Sequence, residues 1–126
     1  MSKAVKNFGE FLTQKRTERG VSLRELAKQI GVSAPFLTEV EKSRCAPLTP
    51  DRMAKVAQFL DFSNEEKCEM YDIVGIQKDT VPPDLPEYIK GKDYVSVALR
   101  TARDLGASES EWMKFVEDLK KRKAEQ

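Results

Sequence analysis

The stretch SLRELAKQIGVSAPFLTEVEKSR, residues 22–44, decides the fold of this protein because it contains two short helical patterns joined by a tight turn. Ser22 predicts the N-cap of the first helix, with Glu25 at the reciprocal position of a capping box. Apolar side chains then recur on one face until Gly31, which predicts the end of the helix. The stretch therefore opens with a capped amphipathic helix.

The second helical pattern covers residues 33–43 and has a proline near its start. Ser33 predicts the N-cap, because its side-chain oxygen can accept a hydrogen bond from the N–H of Phe36. Pro35 then occupies the second helical position, where the backbone N–H has no partner within a helix. Pro35 is thus compatible with the helix and stiffens its first turn.

The two sides of this second helix differ in polarity. Leu37 and Val40, with help from Phe36, predict the side that faces the core. The opposite side is predicted to carry Ala34, Pro35, Thr38, Glu39 and Lys42. A helix with this pattern can pack on the protein through one side and contact a partner through the other.

Three more helical patterns flank this pair in the first part of the chain. One begins at Phe8 and ends before Gly20, and another begins at Thr49. A third begins at Ser63, in a second capping-box pattern, and is predicted to end at Gly75. Alternation of apolar and polar residues, the signal of a half-buried strand, is not sustained anywhere, so the fold class is predicted to be all α.

The C-terminal part begins with the sequence VPPDLPEY, in which three prolines within five residues argue against a continuous helix. We expect a first domain over residues 1–76, a proline-containing connector over 77–92 and a helical extension over 93–126. In the extension, Gly106 separates two amphipathic patterns, which predicts a helical hairpin. Two helices cannot close a core by themselves, so their apolar faces are expected to pack on the first domain or on a partner.

Charge is unevenly distributed along the chain. The net charge of all 126 residues is +1, but residues 1–48 contain nine Lys/Arg against five Glu, which gives +4. Residues 49–80 carry −3, and residues 81–126 are neutral overall. A polyanion such as nucleic acid would therefore meet the first third of the chain. The alternative is that these charges form an ordinary solvated surface.

The composition excludes several classes of site. Histidine is absent and the two cysteines, Cys45 and Cys68, lie 23 positions apart, which excludes the usual Cys/His metal clusters, Ser-His-Asp triads and Cys-His pairs. The six glycines are scattered singly, so no phosphate-binding loop is present. We expect no enzyme activity, no metal and no cofactor. We also expect a cytoplasmic protein without a membrane span, because no apolar run approaches ~18 residues.

Residues 22–60, SLRELAKQIGVSAPFLTEVEKSRCAPLTPDRMAKVAQFL, resemble the lambda-repressor-like (Cro and cI, or Xre) family of helix-turn-helix DNA-binding domains. The capped helix, the Gly-Val-Ser turn, the glutamate near the end of the second helix and the proline loop before the next helix agree in register. The resemblance covers residues 8 to about 75. It implies a five-helix domain over residues 1–76 that places the helix over residues 33–43 in the major groove of double-stranded DNA.

The resemblance also implies a function. We expect a sequence-specific DNA-binding transcriptional regulator, and specifically a repressor that binds a two-fold operator as a homodimer. The C-terminal helices, residues 93–126, are the expected dimerisation element, and an intramolecular cover of the first domain is the alternative. A second class of function is an antitoxin-like or adaptor protein whose C-terminal helices bind a protein partner.

Base reading is expected from four side chains on the outer side of the major-groove helix. Many relatives carry glutamine where Ala34 stands, and alanine cannot make the same amide contact with adenine. Ala34 and Pro35 can still contact a thymine methyl group, Thr38 can hydrogen-bond a base or a phosphate, and Glu39 can accept from cytosine N4. The alternatives are packing at the helix start for Ala34 and Pro35, and a surface ion pair with Lys42 for Glu39.

Phosphate contacts are expected from Ser22, Arg24, Lys42 and Arg44, which would position the domain on the duplex. Relatives often carry a phosphate-binding glutamine where Leu23 stands, and leucine cannot make that contact. For each basic residue the alternative is a solvated surface charge.

A structural pair is implied by the same resemblance. Arg16 and Glu41 occupy positions that resemble a partly buried ion pair between the first helix and the major-groove helix. The pair would aim that helix without touching DNA.

Overall fold

A computed structural model describes residues 7–124 of the chain, and all regular structure in that range is helical. The chain divides into two compact units, with the boundary between Tyr88 and Ile89. The terminal residues 1–6 and 125–126, which belong to the predicted first and last segments, lie outside the described range.

The helices follow one another with short connections. The first unit contains α1 (Phe8–Glu18), α2 (Leu23–Ile30), α3 (Ala34–Glu41), α4 (Pro50–Phe59) and α5 (Asn64–Lys78), and the short α6 (Leu85–Ile89) ends at the boundary with its last residue beyond it. Beyond it lie α7 (Asp93–Leu105) and α8 (Glu109–Ala124). The predicted all-α fold class is confirmed. Over residues 7–124, every helix is too short or too polar to cross a membrane.

Serine side chains cap the helices α2, α3 and α5 at the positions that the sequence predicts. Ser22 Oγ accepts from the N–H of Glu25 at 3.1 Å, and Ser33 Oγ accepts from the N–H of Phe36 at 3.2 Å. At the start of α5 both halves of a capping box are formed between Ser63 and its third helical residue. Each cap satisfies an N–H that the helix itself leaves without a partner, so the helix starts are determined locally.

The inward faces of the first five helices form one hydrophobic core. Helix α1 packs on α3 and α5, and α2 packs on α3 and α4. The rings of Phe11 and Phe62 meet edge to face with their centroids 5.8 Å apart. The buried side chains are those of Phe8, Phe11, Leu12, Leu26, Ala27, Ile30, Leu37, Val40, Leu48, Met53, Val56, Ala57, Leu60, Phe62, Met70, Ile73 and Val74. Helix α3 is therefore held by α1 and α2 together.

The predicted end of α5 at Gly75 is wrong. The helix continues to Lys78 and ends at Asp79, which has a left-handed backbone with φ of 56°. Gly75 is buried within the helix, and a Cβ atom there would lie 3.0 Å from both the Thr80 carbonyl oxygen and the Pro82 nitrogen. Its role is to let the following chain pass close to α5. A glycine in a helical pattern signals either a stop or a close approach, and the sequence does not separate the two.

The segment 77–92, expected to be a connector, contains the last residues of α5 and all of α6. Pro86 is compatible with α6 because it occupies the second helical position, where no N–H is required. The three prolines therefore prevent a long helix without preventing a short one.

The second unit is built from α7 and α8. Gly106, in the left-handed conformation with φ of 67°, ends α7 as predicted. Ser108 and Glu111 then form a reciprocal cap, in which the Glu111 carboxylate accepts from the Ser108 N–H at 3.1 Å. This hydrogen bond lowers the pKa of Glu111. Neither helix has a buried residue, and their exposed large apolar side chains are Tyr94, Val97, Leu99, Leu105, Trp112, Met113, Phe115 and Leu119.

Helices α1 and α3 approach each other closely at Gly9. A Cβ atom on Gly9 would lie 2.5 Å from the carbonyl oxygens of both Val40 and Glu41, and 2.8 Å from Ser43 Oγ. Carbon and oxygen atoms do not pack at such distances, and two of the three neighbours are backbone atoms that cannot rotate away. Glycine is therefore required at this position for α1 to lie against the end of α3.

The substitution Gly9→Ala should destabilise the fold by about 1–3 kcal/mol through overpacking. At a helix position with free space around it, the same change would stabilise the fold by about 0.5–1 kcal/mol. A loss of stability therefore indicates the close approach of α1 and α3. Urea denaturation measures it, with Thr17→Ala on the exposed side of α1 as the control. A Gly9→Ala protein at least as stable as the parent would contradict the close approach.

A charged cluster ties α1 to the start of α5. Arg19 Nη2 donates to both oxygens of Glu66 at 2.8 and 2.9 Å, and Lys15 Nζ lies 3.2 Å from Glu66 Oε2. The Arg19 Nε also donates to the carbonyl oxygen of Leu60. The hydrogen bond from the Ser63 N–H, followed by those from Arg19 and Lys15, lowers the pKa of Glu66 to about 2.

Because this pKa lies below the ordinary value of 4.5, ionised Glu66 stabilises the folded state above pH 4.5, and that contribution is lost as the pH falls towards 2. We expect Glu66→Gln to cost about 1–2 kcal/mol at pH 7, after allowing for solvent screening, and much less near pH 2.5. Glutamine keeps the capping carbonyl, so the change removes mainly the charge. Urea denaturation at both pH values measures the difference.

The neighbouring exposed carboxylate of Glu65 provides the control for this experiment, as Glu65→Gln. If the cost of Glu66→Gln were the same at both pH values, the stabilisation would not come from the ionised carboxylate.

Candidate nucleic-acid interface

The turn between α2 and α3 sets the angle between the two helices. Gly31 has a left-handed backbone with φ of 78° and donates its N–H to carbonyl groups in the last turn of α2. The N–H of Val32 donates to the carbonyl oxygen of Ala27 at 3.0 Å. Ser33 then caps α3 directly, so the connection consists of three residues with little freedom.

One side of α3 is anchored in the core and the other is open. The side chains of Leu37 and Val40 are buried. Among the predicted base-reading residues, Pro35 is exposed, and Ala34, Thr38 and Glu39 are partly exposed. The structure thus places all four on the part of α3 that lies outside the core, as expected from the helical period.

Phe36 does not join the core, contrary to the prediction. Its side chain is 38% exposed. It lies one position before Leu37, about 100° around the helix, and the core contacts of α3 are already made by Leu37 and Val40. The first turn of α3 therefore presents an aromatic group as well as the smaller Ala34 and Pro35.

Thr38 uses its hydroxyl hydrogen within its own helix. Its Oγ1 donates to the carbonyl oxygen of Ala34 at 3.0 Å. In this arrangement the hydroxyl oxygen can still accept a hydrogen bond, for example from a base amino group, but it has no hydrogen left to donate to a phosphate. Of the two predicted contacts for Thr38, the geometry favours the base.

Glu39 forms its ion pair with Arg44 and not with Lys42. The distance from Arg44 Nη1 to Glu39 Oε2 is 3.5 Å. The predicted alternative for Glu39, a pair with Lys42, is therefore wrong, because the chain turns back after α3 and brings Arg44 over the helix end. Lys42 itself is exposed.

The four predicted phosphate-binding residues all lie on the surface. Ser22 and Arg24 are exposed at the start of α2, and Lys42 and Arg44 are exposed just after α3. Ser22 Oγ is already engaged as the cap of α2, although its hydroxyl hydrogen remains available to a phosphate oxygen. The first N–H groups of α2 have no partner within the helix and point towards the same solvent.

Arg16 and Glu41 are brought together across α1 and α3. Arg16 Nε donates to Glu41 Oε2 at 2.8 Å and Nη2 donates to Oε1 at 3.0 Å, while Nη1 donates to the carbonyl oxygen of Val21 at 2.9 Å. Only 13% of the Arg16 side chain and 7% of the Glu41 side chain are exposed. A bidentate pair of this kind fixes orientation as well as distance, so it holds the end of α3 in one direction.

Three residues outside the predicted set support the site. Gly9 lets α1 contact α3, and Arg19 and Glu66 join α1 to α5. The sequence indicates Glu66 only through the capping-box pattern that begins at Ser63, because its partner Arg19 lies 47 positions away in the sequence. Gly9 carried one available signal: it is a glycine within the apolar first turn of a helix, which often marks a close contact.

Comparison with known proteins gives a family match and two similar structures. The profile of a family described as helix-turn-helix domain matches residues 7–69. A chain in the SinR protein/SinI protein complex is 23% identical with a TM-score of 0.46, over 93% of this chain and 98% of that chain. The clp gene regulator ClgR from Corynebacterium glutamicum is 26% identical with a TM-score of 0.46, over 71% of this chain and 95% of that chain. No curated protein sequence matches the chain.

The family match spans half of the 126 residues and includes α2, the turn and α3 in full. These elements form the helical pair described above, which is defined by the caps at Ser22 and Ser33, the left-handed Gly31 and the buried contacts of both helices. The protein therefore belongs to the helix-turn-helix domain family, as its sequence predicts.

Proposed function

We propose that this protein is a sequence-specific DNA-binding transcriptional regulator, and specifically a repressor, that inserts α3 into the major groove. The observation that carries the proposal is that a helix-turn-helix domain holds α3 by Leu37 and Val40 and leaves its other side open. A single α-helix fits the width of the major groove of B-DNA. We propose a cytoplasmic location for such a regulator, and we assign it no catalytic role.

Base reading is assigned to Ala34, Pro35, Thr38 and Glu39. Ala34 and Pro35 offer apolar surface to thymine methyl groups, and Thr38 and Glu39 offer hydrogen-bond acceptors to base amino groups. The exposed Phe36 adds apolar surface at the same end of α3. The resulting recognition is short and partly apolar, without the glutamine that reads adenine in many relatives.

Phosphate binding is assigned to Ser22 and Arg24 at the start of α2, and to Lys42 and Arg44 after α3. These positions precede and follow the reading helix in the sequence, and phosphate contacts of this kind fix the register and orientation of a protein on the duplex. The aiming of α3 is assigned to the Arg16–Glu41 pair, which is too enclosed to contact DNA itself.

A homodimer is proposed for the full chain, because operators of such domains are commonly two-fold and one module binds weakly. The candidate interface is the apolar surface of the second unit, defined here as the exposed side chains of Trp112, Phe115 and Leu119 on α8. The three recur at intervals of three and four residues, so they share one side of the helix. Two helices with no buried residue need a further surface to cover these groups.

The second candidate function rests on the same apolar surface. An antitoxin-like or adaptor protein would use Trp112, Phe115 and Leu119 to bind a different protein. In that case DNA binding would be accessory. Sedimentation of the purified full chain separates the two, because a homodimer forms without any other component.

Binding to duplex DNA should weaken steeply with salt. The slope of log affinity against log salt is expected to be about −0.9 for each phosphate neutralised. Selection from a random duplex pool would supply the operator. Lys42→Gln should then weaken binding to all sequences alike and make the slope shallower by about one unit per subunit. Lys28→Gln is the control, because it removes an exposed charge from the last turn of α2, away from the predicted phosphate contacts at the start of that helix. It should change neither the affinity nor the slope. An affinity that is indifferent to salt would disprove the proposed function.

Placing a charge on the apolar surface of α8 should dissociate the dimer. Phe115 is 54% exposed in the single chain, so Phe115→Glu should leave the fold intact while burying a carboxylate without a partner in the assembly. Sedimentation equilibrium should show at least a tenfold weaker dimer. Ser110→Glu adds the same charge to a different side of α8 and serves as the control. Equal dimerisation of both variants would remove this surface from the interface.

A further inference from the structure

We propose that Arg44 determines base specificity by holding one carboxylate oxygen of Glu39, so that the other oxygen alone reads the base. The inference rests on the proposed function, since it concerns how α3 reads DNA. It assigns Arg44 a role that differs from that of Lys42, although both were predicted only to bind phosphate.

The backbone after α3 brings Arg44 back over Glu39. Ser43 adopts the left-handed conformation with φ of 59°, and its N–H donates to the carbonyl oxygen of Val40 at 3.0 Å. The N–H of Arg44 then donates to the carbonyl oxygen of Glu39 at 2.9 Å. This is the hydrogen-bond pattern that closes a helix end with a left-handed residue. The two residues are therefore kept close by the main chain, and not only by their flexible side chains.

The two oxygens of the Glu39 carboxylate are in different surroundings. Oε2 lies 3.5 Å from Arg44 Nη1, is shielded from solvent and accepts no hydrogen bond within residues 7–124. Among residues 7–124, Oε2 and not Oε1 is the Glu39 oxygen that is both shielded and without a hydrogen bond. The side chains as a whole remain accessible, with 46% of Glu39 and 64% of Arg44 exposed. One oxygen thus faces the guanidinium, while the side chain as a whole remains accessible to a ligand.

This division suits a carboxylate that must work beside phosphate groups. An ionised carboxylate only accepts hydrogen bonds and is repelled by the DNA backbone. Arg44 offsets that charge on the side of Oε2, so that Oε1 can accept from one amino group such as cytosine N4. The guanidinium has five N–H donors, so Arg44 can hold Glu39 and still contact a phosphate. Lys42, which is not paired with Glu39, has no such effect on the carboxylate.

The test compares Arg44→Gln with Lys42→Gln, because each change removes one positive charge and introduces the same side chain. Affinities are measured for the duplex selected from a random pool and for its single-base variants. Both changes should weaken binding to every duplex. Only Arg44→Gln should also reduce the preference for the base read by Glu39, by roughly tenfold. In a protein that already carries Glu39→Gln, adding Arg44→Gln should cause no further loss of this preference.

A result in which Arg44→Gln weakens all duplexes by one common factor, as Lys42→Gln does, would overturn the inference and leave the proposed function intact. A parent protein that binds no duplex in preference to another would overturn both.

A second measurement needs no DNA. In the free protein, Glu39→Gln should shift the guanidinium NMR signals of Arg44, and Lys42→Gln should not. If the Arg44 signals were unchanged in the Glu39→Gln protein, the pair would be absent in solution and the inference would be wrong, whatever the protein binds.

Discussion

The position of α3 depends on its contact with α1, and the rest of the candidate interface depends on the position of α3. At one point the contact is steric, since Gly9 leaves no side chain between α1 and the carbonyl groups at the end of α3. At another point the contact is ionic, since Arg16 donates hydrogen bonds to both carboxylate oxygens of Glu41. Removing one partner of an enclosed pair leaves an uncompensated charge, which is strongly destabilising where burial is complete. The pair therefore constrains direction where the hydrophobic core alone would permit sliding.

Such constraints matter because α3 is short. Its eight residues bury only two side chains, Leu37 and Val40, which is too little to fix a helix by hydrophobic contact alone. Local hydrogen bonds restrict both of its ends. Ser33 caps the N-terminal end of α3. The left-handed turn at Ser43 closes the C-terminal end and returns the chain over Glu39. A helix restrained in this way can present side chains to a partner with little loss of conformational freedom on binding.

The two units of the chain differ in how completely they bury their apolar residues. The first has a continuous core to which α1 to α5 all contribute, and it has a charged cluster around Glu66 that joins α1 to α5. The second consists of α7, which ends at the left-handed Gly106, and α8, which begins with the reciprocal cap of Ser108 and Glu111, but the residues of both helices are all at least partly exposed. Local hydrogen bonds can begin and end such helices, but they do not replace a core. This contrast explains why we assign DNA recognition to the first unit and assembly to the second.

The sequence by itself determined the features that depend on neighbouring residues. The caps at Ser22, Ser33 and Ser63 and the left-handed stop at Gly31 are local, because each is a hydrogen bond or a backbone conformation within one turn of helix. The helical period likewise predicted that Leu37 and Val40 face inward. The Arg16–Glu41 pair came from family resemblance and not from the residues alone.

Only the tertiary structure decided what depends on residues far apart or on the path of the chain. Gly75 lies inside α5 and not at its end, and it leaves room for the chain near Pro82 to pass against the helix. Phe36 is partly exposed because the space beneath α3 is already filled. Arg19 meets Glu66 across 47 positions, and Glu39 meets Arg44 instead of Lys42 because the chain reverses at Ser43. A periodic pattern specifies which side of a helix is apolar, whereas the identity of a contact depends on how that side is packed.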